Sequence, residues 1–79
     1  MTNRRLKQVL ATTFNLPLEN VPDDAEMGSI EAWTSLGHLE LMMALEMEFR
    51  VQIPSDAMLD LTSVRLLENF IRTQGIVDT

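Results

Sequence analysis

The chain contains no cysteine. That excludes disulfides, thiolate metal sites and a side-chain thiol nucleophile. It has a single histidine, His38, so imidazole chemistry has one candidate. No stretch approaches the roughly 18 apolar residues of a membrane span. The start, Met1 to Lys7, runs into an amphipathic pattern rather than the long apolar run of a signal peptide. A cytoplasmic protein with no membrane span is therefore expected. Basic residues are also scarce: six Lys and Arg stand against twelve Asp and Glu, a formal charge of -6. None occurs between Lys7 and Arg50, an interval holding Glu19, Asp23, Asp24, Glu26, Glu31, Glu40, Glu46 and Glu48. This deficit argues against nucleic acid, whose phosphates need a basic face. The acidic interval reads either as a solvated surface that aids solubility or as a docking face for basic partners, with charge steering the encounter.

At 79 residues the sequence reads as one domain, 1-79. Chains of this size bury only about 60% of the surface they expose when unfolded, so stability is marginal. Leu6, Val9, Leu10 and Phe14 recur at helical spacing and predict a first helix ending near Phe14, capped by Thr2 or Asn3. From Asn15 to Glu31, Pro17, Pro22 and Gly28 break any helix. This long connection carries its own apolar anchors: Leu16, Leu18, Val21, Met27 and Ile30, with Trp33 just beyond. Val51-Gln52-Ile53-Pro54 reads as extended chain. Ser55 or Asp56 can cap a short helix through Asp60, and Thr62 or Ser63 a last one through about Thr73. Val64, Leu67, Phe70 and Ile71 form the core stripe of that last helix. Gly75 is its stop, and residues 75-79 read as a frayed tail. The fold expected is all-α: a small bundle of three longer helices and one short one.

The remaining segment, Trp33 to Phe49, predicts a helix of about four turns starting near Ser35 and fading near Arg50. Thr34 or Ser35 can cap it. At 100° per residue, Leu41, Met42, Leu45 and Phe49 share one side with His38, while Leu36, Leu39, Met43 and Met47 lie roughly opposite. A helix apolar on two sides is normally buried on both. So small a chain cannot cover both. One stripe is read as core and the other as a surface for a partner or cargo. Trp33, just before the helix, reads as a packing staple.

A self-contained active site is not evident. Ser35 and His38 are neighbours at i and i+3, but His38 falls on the core side, and no nucleophile elbow or oxyanion hole accompanies the pair. Asp23, Asp24 and Glu26 do not match an EF-hand loop. No catalytic residue and no metal site is assigned. The feature that remains is Ser35, a hydroxyl at a helix N-terminus, where backbone amides and the dipole favour phosphate.

The segment Trp33-Thr34-Ser35-Leu36-Gly37-His38-Leu39-Glu40-Leu41-Met42-Met43-Ala44-Leu45-Glu46 resembles the attachment helix of acyl carrier proteins, which show an Asp-Ser-Leu motif followed by an apolar and acidic helix. Glu48-Phe49, Ile53-Pro54 and Leu61-Thr62-Ser63-Val64 resemble later landmarks of that family at the expected intervals, so the likeness spans nearly the whole chain. It implies a monomeric, non-catalytic carrier. Ser35 would receive 4′-phosphopantetheine from coenzyme A through a separate magnesium-dependent phosphopantetheinyl transferase. The arm's thiol, which replaces the missing cysteine, would hold acyl or aminoacyl groups as thioesters. Leu36, Leu39, Met43 and Met47 would meet partners or cargo, and methionine adapts well to several of them. Glu40 and Glu46 correspond to family positions that meet basic patches on activating and synthase enzymes. The resemblance points to fatty acid, polyketide or related routes. A different class of function, an acidic helical interaction module without a prosthetic group, rests on one departure. The family's Asp before the serine is here Thr34, which can still cap but supplies no carboxylate where the transferase and its metal dock. Met47 also replaces a usually acidic residue and widens the apolar patch.

Overall fold

The computed structural model describes residues 4–75. Four α-helices follow one another: α1 Arg4–Phe14, α2 Ser35–Phe49, α3 Ser55–Asp60 and α4 Val64–Thr73. No strand occurs among the described residues, and none of the helices is long and apolar enough to cross a membrane. The expected cap of α1 at Thr2 or Asn3 lies outside the described residues, as does the expected frayed tail beyond Gly75.

The core forms where the apolar stripes converge. Leu6, Val9, Leu10, Ala11 and Phe14 of α1 face Leu41, Met42, Leu45 and Phe49 of α2 and Val64, Leu67 and Ile71 of α4, and all are buried. Phe70, expected among them, is only half-buried at the margin. α1 is the central packing element, lying against both α2 and α4. α3 contributes no fully buried side chain. It hangs between two buried residues that flank it, Ile53 and Leu61.

The connection from α1 to α2 is more ordered than its prolines suggest. Leu18–Asn20 forms one 3₁₀ turn, not expected from the sequence because three residues are too few to show a period. Val21, Ala25, Ile30 and Trp33 plug the loop into the core. The Met27 amide donates to the Thr62 carbonyl at 2.8 Å and the Val64 amide to the Ala25 carbonyl at 2.9 Å. These bonds clip the loop to the start of α4 and pair the Met27 amide and the Ala25 carbonyl without regular structure.

Helix ends follow local chemistry. Ser63 caps α4, its hydroxyl accepting from the Leu66 amide at 3.2 Å. Gly75, at φ +78°, follows the helix in the left-handed region, where glycine has no steric cost. α3 differs from expectation: Pro54 occupies its cap position and Ser55 is its first helical residue, with no side-chain cap. Two ion pairs close the bundle from outside. Lys7 Nζ meets Asp23 at 2.8 Å, and Arg5 Nε meets Glu48 at 2.9 Å. Arg5 also lies 4.7 Å over the Phe49 ring. The basic start of α1 thus engages both the acidic loop and the end of α2.

Leu41 is 0% and Leu45 2% exposed, against 53% for Met43 and 81% for Met47. Leu41→Ala and Leu45→Ala should each lower stability by about 2–5 kcal/mol. Met43→Ala and Met47→Ala should stay within about 0.5 kcal/mol of the parent. Urea denaturation of the four variants checks this, and equal losses would overturn the division of α2 into inner and outer faces.

Candidate functional site

The site is built at the start of α2. Thr34 takes an extended conformation, φ -95° and ψ -174°, and acts as the cap. Its Oγ1 accepts from the Gly37 amide at 3.3 Å and its carbonyl accepts from the His38 amide at 2.7 Å. Ser35 is the first helical residue. It is exposed, and its hydroxyl makes no hydrogen bond among the described residues. The opening amides of a helix have no intrahelical acceptor. Since Thr34 takes that of Gly37, the amides of Ser35 and Leu36 remain open donors at the tip. The helix dipole adds positive potential there, and the first turn holds no acidic residue. The adjacent hydroxyls are thus divided: Thr34 shapes the turn and Ser35 is left free.

Three buried residues hold this turn in place. Trp33 is 0% exposed and packs against Phe14, ring centroids 5.7 Å apart, and His38, 6.2 Å apart and nearly parallel. Trp33 just before the cap and His38 on the fourth helical position form the two halves of a staple. The Trp33 indole Nε1 donates to His38 Nδ1 at 2.9 Å. An indole N–H only donates, so Nδ1 is the acceptor and the ring proton sits on Nε2. From there it is donated to the Met58 carbonyl of α3 at 2.7 Å. Both ring nitrogens of His38 are therefore engaged, and neither is available as a base for Ser35.

Gly37 completes the fit. A Cβ there would stand 2.0 Å from the Ala32 carbonyl oxygen and 3.3 Å from the Phe14 ring. The loop before Ser35 can lie on α2 only because this side chain is absent. A glycine in the first turn of a helix otherwise made of good formers is the sequence signal of this close approach.

Behind the tip, Leu36 (68% exposed), Leu39 (50%), Met43 and Met47 face outward, with exposed Glu40 among them. The structure thus brings Ser35, Leu36, Leu39, Glu40, Met43 and Met47 onto one open surface. Glu46, expected as a docking carboxylate, is set differently from Glu40. It is half-buried, and its Oε2 accepts from the Ile53 amide at 2.9 Å. Its carbonyl accepts from the amides of Arg50, which ends α2 at φ 54°, and Val51. Glu46 therefore fastens the chain that leaves α2. Helical spacing alone could not reveal a partner seven residues away in an irregular loop. No cluster of three or more His, Cys, Asp or Glu side chains suited to a metal occurs among the described residues.

An open serine at a polarised helix tip, followed by an exposed apolar and acidic face, can accept a phosphorylated group and display it. Residues 4–71 match the family model described as the phosphopantetheine attachment site, and the chain belongs to that family. Its members attach 4′-phosphopantetheine covalently and act as carriers rather than catalysts. The protein is thus a phosphopantetheine-carrying protein of the acyl carrier type, in a small helical bundle.

Gly37→Ala should destabilise the bundle by about 1–3 kcal/mol, the usual cost of forcing atoms into a packed site. Alanine is the better helix former, so propensity alone predicts a gain. A gain in the urea midpoint would refute the close approach of the loop to α2.

Proposed function

We propose that Ser35 is the residue that receives 4′-phosphopantetheine, and that the protein presents acyl or aminoacyl thioesters to biosynthetic enzymes with basic docking patches. The observation carrying this reading is the free, exposed Ser35 hydroxyl beside a Thr34 hydroxyl already taken by the cap. In the modification, Ser35 Oγ forms a bond to the phosphorus of coenzyme A's phosphopantetheine, the bond from that phosphorus to 3′,5′-ADP breaks, and the serine proton leaves to solvent or to the transferase. When bound, the group supplies a flexible arm and a thiol for thioester formation.

The residues present suit that group. The open amides of Ser35 and Leu36 would donate to a phosphodiester carried on Ser35, and the first turn has no acidic residue to repel it. Leu36, Leu39, Met43 and Met47 provide an adaptable apolar face, and Glu40 contributes charge complementary to basic partners. The transferase and the acyl- or aminoacyl-handling enzymes are the partners proposed for that face. Glu46 adds to it mainly by holding the exit of α2 in shape.

Incubation with coenzyme A, magnesium and a promiscuous transferase should add one phosphopantetheine to the intact mass. Ser35→Ala should abolish the addition and Thr34→Ala should not. Thr34→Asp, which places a carboxylate beside the serine, should speed it. No addition to either the parent or Thr34→Asp, under conditions that modify a control carrier, would favour an interaction module without a prosthetic group.

The modified serine also brings negative charge to a turn that has none of its own. Such a charge at a helix N-terminus contributes about 0.3–1 kcal/mol, which corresponds to a rise of about 1–8 °C in melting temperature for a domain of this size. Calorimetry of the modified and unmodified forms should show the rise at low salt and its decline at high salt. A lower melting temperature for the modified form would contradict the proposed placement.

A further inference from the structure

α3 is too short to be stable alone, since isolated helices below about 12–15 residues are marginal in water. It has no side-chain cap at its start and no fully buried residue. Ala57 and Met58 are half-buried and Leu59 is exposed. At its end, the Ala57 carbonyl accepts from the Leu61 amide and that of Asp60 from Thr62. The Met58 carbonyl, one of the orphan acceptors of a helix terminus, is taken by His38 Nε2 of α2. His38 therefore caps α3 from another helix.

The opposite edge of the same ring accepts from Trp33, two residues before Ser35. One rigid planar group thus touches the end of α3 on one side and the root of the Ser35 turn on the other. The ring is 9% exposed and stacked on the indole, so it has little room to move without breaking one bond or the other. We propose that His38 is a positioning residue that couples the seating of α3 to the geometry of the Ser35 turn. A partner or cargo group that presses on α3, whose Leu59 is 78% exposed, then alters the presentation of Ser35 through the imidazole. Reciprocally, what binds at the Ser35 tip alters how firmly α3 is seated. The coupling itself needs only the unmodified protein. Its consequence for modification rests on the reading of Ser35 as the attachment site.

The test perturbs one end and reads the other. Ala57→Gly weakens α3 without touching Trp33, and exchange of the Trp33 indole N–H is followed by NMR. The expected rise is about fivefold, the ratio equivalent to the Ala-to-Gly propensity difference. It should persist in a His38→Gln background, where the amide can still accept from Trp33 and donate to Met58, and vanish in His38→Phe. Imidazole nitrogen shifts of the parent protein should show the Nε2–H tautomer. With a transferase, His38→Phe should lower kcat of modification about tenfold with KM unchanged, and His38→Gln should stay within twofold. Unchanged indole exchange in Ala57→Gly, or an Nδ1–H tautomer, overturns the coupling even if His38→Phe fails to fold. Equal behaviour of His38→Gln and His38→Phe overturns it as well. A transferase that modifies no variant and not the parent would instead sink the assignment of Ser35, while the exchange data still decide the coupling.

Discussion

α2 has apolar side chains on two opposite sides, and the rest of the chain can cover only one of them. α1 and α4 bring enough apolar surface to bury Leu41, Met42, Leu45 and Phe49. Leu36, Leu39, Met43 and Met47 stay half or more exposed. Small domains leave a large share of their surface wet, and here that share is concentrated on one helix instead of scattered. Single exposed apolar residues need no explanation, but a contiguous set behind an open serine does. The arrangement suits a carrier, which must be recognised by several enzymes in turn and cannot commit the face to any one of them.

The second requirement is that the tip of α2 be held firmly while staying open. These demands conflict at the level of a single residue, and the structure separates them. Thr34 forms the cap, Trp33 and His38 lock the approach from within, and Gly37 lets the preceding loop lie close. Ser35 makes none of these contacts, so its hydroxyl costs nothing to expose and its loss costs the fold little. Thr34 makes the cap with a neutral hydroxyl, which accepts the Gly37 amide without placing a charge beside the serine.

Charge is apportioned in a similar way. Two basic side chains of α1 are engaged in closing the bundle, Lys7 with Asp23 and Arg5 with Glu48. Glu46 is drawn inward by the Ile53 amide. Glu40 remains on the open face among the apolar residues. Exposed ion pairs contribute little stability individually, so these pairs matter more for which carboxylates they leave uncovered. The field a partner meets is therefore set by the fold as much as by composition.

Local sequence pattern determined most of the architecture. The four helices, the inner and outer faces of α2, the seat of Trp33 and the stop at Gly75 all follow from local rules: a 3.6-residue repeat, capping hydroxyls and chain breakers act within a few residues of one another. Recognition of the family rested on ordered short motifs, which are also local. What only the tertiary structure decided are the contacts between residues far apart in sequence. Sequence reading places Glu46 between the two apolar stripes and His38 on the core side, but cannot tell that Glu46 reaches Ile53, that His38 caps α3 through Met58, or that Gly37 is needed beneath Ala32. The reason is physical: a carboxylate or an imidazole is satisfied by whichever donor or acceptor the folded chain brings within about 3 Å, and that proximity is a property of the packing and not of the spacing.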